Sequence, residues 1–301
     1  MASFDPSALP TLGVGASLSF GASPDPVALA SAPGGPSFIE YAGAVQHTWM
    51  ERPLAALRKL GVPVLYHPSC LNLCGPWPNP RPWLDAVDAH VRAVGSPWLA
   101  QDVSVCFVGD EPGYSIQLGY FLPPILSPEA LDEAVDRVLE VREAVAAPLL
   151  LEPAPVSFQL GELGVLIWLN TLAERTGSGL LLDAGHVLSH QLAVGQGHTD
   201  GLNILDMSRV IELHIAGGTL EVAGGRTYYT DAHDLPPLPE VWALARHLLS
   251  VTPNLRAVCL ECEGAAASAV LPALRRTRER VALSAASPSL RAAARAELER
   301  G

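Results

Sequence analysis

Seven short apolar stretches of this sequence end in a side chain that can bind a metal ion. An ionised carboxylate at the end of a buried stretch is costly unless it is paired, hydrogen-bonded or bound to a cation. Arginine could be that cation in a structural network, and Arg226 is the main candidate near these positions. Carboxylates mixed with imidazoles suit zinc, iron or manganese better than magnesium, which prefers oxygen ligands alone. The seven residues are Glu40, His67, Asp102, Glu152, Asp183, His214 and Glu261.

Two further segments bring additional ligands. In LLLDAGHVLSH, His186 lies three residues beyond Asp183, where we expect the strand to break into a loop and both side chains to turn to one centre. In YTDAH, Asp231 and His233 are two residues apart, so an extended backbone puts them on the same side. The glycine-rich stretch after His214 therefore predicts a loop that carries them back over the same site, where more than one metal ion could bind. Asp231, His233 and His214 are the predicted catalytic residues.

Another set of residues is predicted to contact a substrate. Tyr228 and Tyr229 precede Asp231 closely, and His190 lies just beyond the Asp183 segment, although an ordinary loop role suits His190 equally well. The predicted substrate-binding residues are Glu40, His190, Arg226, Tyr228 and Tyr229.

Short apolar runs that alternate with helical segments position these residues. Runs of this kind are typical of βα units and a parallel sheet. Eight of them in 301 residues predict a (β/α)8 TIM barrel, in which the carboxyl ends of all strands meet at one face and build the active site. An open doubly wound sheet is the alternative, but no G-x-G-x-x-G follows any strand. The predicted strands cover residues 11–17, 37–41, 62–68, 98–107, 147–153, 179–186, 210–217 and 256–263.

The helices between these strands show apolar residues at helical spacing, and several begin with a serine, proline or asparagine. A single barrel domain is expected over residues 1–284, followed by an appended helix or tail over 285–301. The predicted helices cover residues 52–61, 82–95, 127–146, 161–177, 203–210, 238–250 and 267–280.

Composition and charge argue against several classes of function. The formal net charge of -12 argues against a nucleic-acid partner, because such surfaces neutralise phosphates with lysine and arginine. No apolar run approaches the length of a membrane span, and no basic residue precedes the first apolar stretch, so a cytoplasmic protein is expected. Lys59 is the only lysine and lies at the exposed end of a predicted helix, which leaves Schiff-base chemistry without a candidate.

The five cysteines are an odd number and do not suggest a disulfide framework. Cys70 and Cys74 form one pair, and Cys259 and Cys262 form a C-x-x-C that invites a zinc interpretation. The second pair lies in a predicted strand, where positions three apart face opposite sides. Buried cysteines are therefore favoured over a zinc knuckle.

These segments, in this order, resemble the multinuclear non-haem iron-dependent oxidative enzymes, the family of the methanobactin-biosynthesis oxidase subunit. The resemblance runs over most of the chain, from TLGVGASLS to LECE. FIEY and VLYHPSCLNL are similar to the family's early glutamate and histidine segments. LLLDAGHVLSH, VIELHIAGG, TDAHDLPPLPEVWAL and CLECE are similar to its LLD, E-[IL]-H-x-A-G, D-x-H followed by V-W-x-L, and L-E-R-D-like segments.

The resemblance implies a xylose-isomerase-like barrel that binds two or three iron ions in mixed Fe(II)/Fe(III) states. It also implies use of dioxygen for a four-electron oxidation of a residue, often cysteine, in a ribosomally made precursor peptide. A separate partner protein that recognises the leader peptide is implied as well. Carried over to this chain, the metal ligands or their immediate neighbours are His67, Asp102, Glu152, Asp183, His186, His214, Asp231, His233 and Glu261.

The sequence departs from the family pattern at four positions. Val103 stands where the family has a histidine, and Pro153 stands where an asparagine is common. His186 closes an Asp-Ala-Gly-His segment in place of Asp-x-x-Asn, and Ala44 replaces a second early glutamate. These departures leave the number of metal ions and the reaction open.

Asp-x-Gly-His also occurs in xylose-isomerase-like barrels that include sugar epimerases and a metal-dependent endonuclease. In those enzymes two divalent ions, such as zinc, manganese or magnesium, polarise a hydroxy-carbonyl substrate or activate water, and a glutamate acts as the base. The acidic charge argues against the DNA enzyme. The absence of a catalytic lysine and the long seventh loop favour the peptide oxidase over a sugar isomerase. A non-catalytic metal-binding protein is the alternative from another class.

Overall fold

The computed structural model describes residues 4–43, 50–109, 116–156 and 158–300, so Ala44 lies outside the described part of the chain. Eight parallel strands close into a barrel, and their order around it follows the chain. The predicted (β/α)8 fold is therefore confirmed, and the open doubly wound sheet is excluded. The barrel strands are β1 (Gly13–Ser17), β2 (Ile39–Ala42), β3 (Val64–His67), β4 (Leu99–Asp102), β7 (Leu149–Glu152), β8 (Gly179–Asp183), β9 (Val210–Ala216) and β12 (Ala257–Glu261).

Two hairpins extend the loops at the mouth of the barrel. One joins β5 (Val105–Val108) to β6 (Ile116–Leu122), and the other joins β10 (Gly218–Ala223) to β11 (Arg226–Asp231). The predicted strand over 98–107 is therefore two strands, of which only the first belongs to the barrel. The glycine-rich segment expected to be a loop is the second hairpin, because Gly224 and Gly225 adopt the positive φ angles that a tight hairpin turn requires.

Helices cover the outside of the barrel and pack on it through apolar side chains. No helix in the described part of the chain combines the length and the apolarity that a membrane crossing needs. The helices are α1 (Pro26–Ser31), α2 (Glu51–Leu60), α3 (Arg81–Val94), α4 (Pro128–Ala144), α5 (Val165–Thr176), α6 (Ala184–Val194), α7 (Pro239–Val251), α8 (Ala267–Ser284) and α9 (Pro288–Arg300).

Helix α6 was not predicted. The run over 179–186 was expected to be a strand up to His186, but the strand ends at Asp183, whose side chain accepts a hydrogen bond from the His186 backbone N–H and caps the helix. His186 is therefore in the first turn of a helix and not in a loop. The helix predicted over 203–210 is wrong, since two short 3-10 turns occupy that region.

Apolar side chains line most of the barrel interior below its mouth. Side chains two residues apart on a strand point the same way, so the residues two positions before His67, Asp102, Glu152 and Asp183 also point inward. They belong to an apolar cluster that is separate from the layer between barrel and helices. The mouth residues therefore lie on a dry floor that includes Phe38, Leu65, Trp98, Ala100, Leu150 and Leu181.

The last helix packs against α8 and β1. The buried guanidinium of Arg278 donates to Glu297 Oε2 at 2.7 Å and to the Gly34 carbonyl at 2.7 Å. Glu297 Oε1 also accepts a hydrogen bond of 3.3 Å from the Val14 backbone N–H on β1. One buried ion pair therefore ties α8, α9 and the first barrel strand together.

Candidate metal centre

The end of β3 lies beside the ends of β4 and β7, and their last side chains converge. His67 Nε2 lies 3.5 Å from Asp102 Oδ2 and 3.4 Å from Glu152 Oε2. One ligand atom from each of these residues lies within 4.8 Å of the other two, and all three side chains are buried. Such spacing places one nitrogen and two oxygens around a common point, where a divalent cation could bind.

A second group of three ligand atoms uses the ends of β8, β9 and β12. Asp183, His214 and Glu261 each offer one atom within 4.8 Å of the others. His214 Nδ1 lies 3.1 Å from Glu261 Oε1 and 3.9 Å from Glu152 Oε1. Glu152 thus lies between the first group and the second, with one oxygen near His67 and the other near His214.

Asp231 joins two histidines from different elements. Its Oδ2 lies 3.2 Å from His186 Nε2 and 3.2 Å from His233 Nε2. His233 has a left-handed backbone with a φ of 51°, which turns its ring back towards Asp231 beyond the end of β11. The hairpin therefore brings Asp231 and His233 to the ends of the barrel strands, and it forms a third group there with His186.

The outer nitrogens of these two histidines are already occupied. His186 Nδ1 donates to the Pro153 carbonyl at 2.8 Å, and His233 Nδ1 lies 2.7 Å from Glu263 Oε2. Glu263 is in turn hydrogen-bonded by the Ser17 hydroxyl. A histidine whose N–H is tied in this way presents the lone pair of its other nitrogen, as metal-bound histidines do.

Unpartnered polar atoms support binding of a cation at this mouth. Buried side chains normally have hydrogen-bond partners, yet six of the nine predicted ligands hold an atom without one. None of the ion pairs that the site's acids form in the described part of the chain involves arginine or lysine, so metal ions fit the donor set. The unpartnered atoms are His67 Nε2, Asp102 Oδ1, Glu152 Oε2, Asp183 Oδ2, Asp231 Oδ1 and Glu261 Oε2.

The pKa shifts of the site's side chains also favour binding of a cation. Burial raises the pKa of Glu152 to about 8 and that of Asp183 to about 7, and neighbouring carboxylates add to the effect. Burial alone would lower the pKa of His186 and His214, but the acids around them, led by Asp183 and Glu40 respectively, raise it well above the usual value. Protons on Glu152, Asp183 and the two imidazoles thus offset part of the site's negative charge, and a divalent cation would displace them.

The structure places the predicted substrate-binding residues in different surroundings. Glu40 is buried against His214, and His190 is buried one turn after His186 with its Nε2 at 3.1 Å from the Ala154 carbonyl. Tyr229 is buried against the start of α6, with its hydroxyl 3.5 Å from the Ala216 carbonyl. Arg226 is exposed beside the hairpin turn, and Tyr228 is half-buried.

An apolar groove lies next to the centre. Val103 and Pro153, which follow two of the strand-end acids directly, line it together with Phe158, Trp168 and His190. Phe158 is half exposed, as are Leu160 and other apolar side chains nearby. The groove therefore offers an apolar surface beside the predicted metal ligands.

All five cysteines are free and buried, in keeping with the buried role favoured over a zinc knuckle. Cys259 lies close to possible metal ligands, because its sulfur is within 4.8 Å of ligand atoms of Glu40 and His214.

Sequence reasoning missed two acids, Glu263 and Glu212. Glu263 contacts His233, and Glu212 Oε1 lies 3.8 Å from His214 Nε2. Glu212 lies two residues before His214 on β9, and Glu263 lies two residues after Glu261, just beyond the end of β12. Because side chains two residues apart on a strand point the same way, the alternating pattern could have indicated both acids.

The closed parallel barrel, with a buried histidine and carboxylate cluster at its mouth, is similar in fold to solved xylose-isomerase-like TIM barrels. A solved xylose-isomerase-like TIM barrel protein from Mycobacterium smegmatis in complex with magnesium has a TM-score of 0.55 and 11% identity, and the match covers 95% of this chain and 99% of that one. Mannonate dehydratase from Streptococcus suis serotype 2 has a TM-score of 0.54 and 11% identity, with 93% and 96% covered. At such identities the likeness shows the fold alone.

The chain belongs to the family of RiPP precursor modification enzymes MbnB/TglH/ChrH, whose model matches residues 28–281. A UPF0276 protein of Rhizobium meliloti is 29% identical over 197 residues, which cover 64% of this chain and 62% of that protein. A UPF0276 protein of Anaeromyxobacter is 28% identical over 213 residues, which cover 68% and 72%. The chain thus spans less than two thirds of the length of the first of these relatives.

Proposed function

We propose that the protein is a multinuclear non-haem iron enzyme that uses dioxygen to oxidise a residue, cysteine by preference, of a ribosomally made precursor peptide. The observation that carries this proposal is the mouth of the barrel, where Glu152 of the first ligand group lies 3.9 Å from His214 of the second and 3.2 Å from His186 of the third. Bound iron would supply dioxygen activation and a Lewis acid that lowers the pKa of a substrate thiol.

The chain's own residues would hold the ions, orient the substrate and exclude water. His67, Asp102 and Glu152 would hold one ion, and Asp183, His214 and Glu261 a second. His186, Asp231 and His233 would hold a third, which makes two or three iron ions the expected content. Imidazole with carboxylate is a donor set that iron accepts.

The apolar groove is proposed to take a side chain of the peptide next to the oxidised residue. Val103 and Pro153 line the groove and directly follow the predicted ligands Asp102 and Glu152. A peptide with one side chain in the groove would therefore place its next residue at the mouth of the barrel. Phe158 and Leu160 at its rim are exposed and available for such contact. A separate partner protein that recognises the leader peptide remains part of the proposal.

The test is oxygen consumption by protein loaded with ferrous iron under nitrogen and then given dioxygen. The probe is a cysteine-containing precursor peptide encoded beside the gene, offered with and without a candidate partner protein. Support would be peptide-dependent oxygen uptake with the loss of four hydrogen atoms from the peptide for each dioxygen reduced to two waters. The Cys→Ser version of that peptide is the matched substrate control.

Other outcomes would redirect the assignment. Activity with zinc, manganese or magnesium on a hydroxy-carbonyl sugar, without oxygen uptake, would indicate an isomerase or a hydrolase. Bound metal with no turnover of the peptide, whichever partner is present, would indicate a metal-binding protein. In either case the cluster would remain a metal site, but the oxidase proposal would be overturned.

A further inference from the structure

His214 lies between two sets of acids, one on each side of its ring. Its Nδ1 faces Glu261 at 3.1 Å and Glu152 at 3.9 Å, at the mouth. Its Nε2 faces Glu40 Oε2 at 3.0 Å and Glu212 Oε1 at 3.8 Å. A neutral imidazole carries one N–H, so only one of these two nitrogens can present a lone pair to a metal ion.

The two acids on the inner side lie directly next to the mouth residues. Glu40 on β2 pairs in register with Ser17, which pairs with Glu261, and Glu212 on β9 lies two residues before His214. Glu40 is 1% exposed and Glu212 is fully buried. Two carboxylates in an apolar interior cost stability unless they are paired or hydrogen-bonded, so their partners determine what they can do.

Trp98 holds Glu212, one of the two inner acids, through a hydrogen bond. Its indole Nε1–H donates to Glu212 Oε2 at 2.7 Å, and the ring belongs to the apolar floor of the barrel. The other oxygen of Glu212 has no hydrogen-bond partner and points towards the His214 ring. None of the ion pairs of Glu40 or Glu212 in the described ranges involves arginine or lysine, so His214 is their only ion-pair partner there.

We propose that Glu40 is a positioning residue that accepts the Nε2–H of His214, that the unpartnered Glu212 oxygen 3.8 Å away favours a proton on that nitrogen through its charge, and that His214 thereby presents its Nδ1 to the metal. This inference rests on the metal centre of the proposed function. Glu40 acts on His214 as the Pro153 carbonyl acts on His186 and as Glu263 acts on His233. All three histidines then have one nitrogen tied and the other free for a metal, an arrangement that raises ligand affinity.

The Cys259 sulfur is close enough to suggest a metal ion on the inner side instead. Its sulfur lies within 4.8 Å of ligand atoms of Glu40 and His214. Two contacts favour the hydrogen-bonded arrangement: the 3.0 Å separation of His214 Nε2 and Glu40 is a direct hydrogen-bond length, and Glu212 already accepts from Trp98. In the hydrogen-bonded arrangement Cys259→Ala leaves the metal content unchanged, whereas loss of one equivalent would overturn the proposal.

The primary test compares Glu40→Gln with the wild type in the zinc-loaded, diamagnetic protein. Nitrogen NMR of ¹⁵N-histidine protein reports which ring nitrogen is metal-bound, and the His214 signals are those missing from His214→Ala. The wild type should show metal at Nδ1 and hydrogen at Nε2. A glutamine can donate its own N–H to Nε2, so Glu40→Gln should populate the other tautomer and weaken zinc binding by about 10- to 100-fold.

The matched control is Glu297→Gln, which removes a buried carboxylate from the far ion pair with Arg278. It should leave zinc affinity and the His214 tautomer unchanged. Should Glu40→Gln fail to fold, Trp98→Phe removes one hydrogen bond to Glu212 and should weaken zinc binding in the same direction, by about tenfold or less.

The two proposals fail differently. Unchanged zinc affinity and an unchanged tautomer in Glu40→Gln would overturn the positioning role alone. Full metal retention by His214→Ala would instead overturn the metal centre and with it the proposed function.

Discussion

Replacing Arg278 with methionine should destabilise the protein strongly, because it leaves Glu297 as a buried carboxylate without its partner. Arg278 is 3% exposed and donates to Glu297 and to the carbonyls of Gly34 and Gly35. Removal of one member of a buried pair costs about 3–5 kcal/mol. Unfolding entropy of about 2.1 cal/mol/K per residue gives roughly 0.6 kcal/mol/K for a chain of this length, so the melting temperature should fall by about 5–8 °C.

The double variant Arg278→Met with Glu297→Met separates the unpaired charge from the loss of contacts. An apolar pair of similar volume is often neutral relative to a buried ion pair. The double variant should therefore recover at least half of the loss, although the Val14 N–H and the Gly34 carbonyl lose their partners. Thermal melts and urea unfolding would measure both variants. A single variant that melts within about 2 °C of the wild type, or a double variant no more stable than the single one, would refute the reasoning.

Three further predictions concern the mouth. Glu263→Ala should weaken metal binding by about tenfold or more, because the carboxylate that holds His233 Nδ1 is then missing; a zinc affinity equal to that of the wild type, by competition with a chelator, would count against this. Metal-free protein should lose stability between about pH 5 and pH 8, because burial raises the pKa of Glu152 to about 8 and of Asp183 to about 7, so the folded state binds more protons than the unfolded one over that range. Urea midpoints at both ends of the range test this, and a rise with pH would contradict it. Phe158→Ser at the rim should raise the KM for the peptide with metal content unchanged, and an unchanged KM would remove the groove from the proposal.

The strand ends could be predicted because most barrel strands are short apolar runs with a polar residue at the end or two residues before it. His67, Asp102 and Glu152 end their strands as the pattern indicates, and parallel strands closed into a barrel bring such residues to one face. The spacing of apolar residues along the sequence thus indicates the fold, and it also indicates that these side chains lie at the mouth of the barrel.

Helix α6 could not be found from the same signal. Eight of its eleven residues are buried, so it lacks the polar face that gives a surface helix its period. Asp183 also has two roles, as the last residue of β8 and as the helix cap, and only the first was visible in the sequence. The hairpin over 218–231 was missed for a different reason, because its glycine-rich sequence predicts a loop and its two strands are short.

The orientation of the imidazole rings lay beyond sequence reasoning. Whether Nδ1 or Nε2 of His214 faces the mouth depends on Glu40, which lies 174 positions away in the chain. Glu40 was accordingly expected to contact substrate, and its carboxylate is found against His214. Contacts of this range are set by closure of the barrel and not by any local pattern.

The most direct test of the metal centre is metal analysis of protein purified without oxygen, by elemental mass spectrometry with Mössbauer spectroscopy on iron-57-grown material. The wild type should hold two or three irons per chain with coupled ferric signals, and His214→Ala and Asp231→Ala should hold fewer. Zinc, manganese or magnesium alone, with no activity gained from added iron, would contradict the oxidase, and unchanged metal content in both variants would contradict the site.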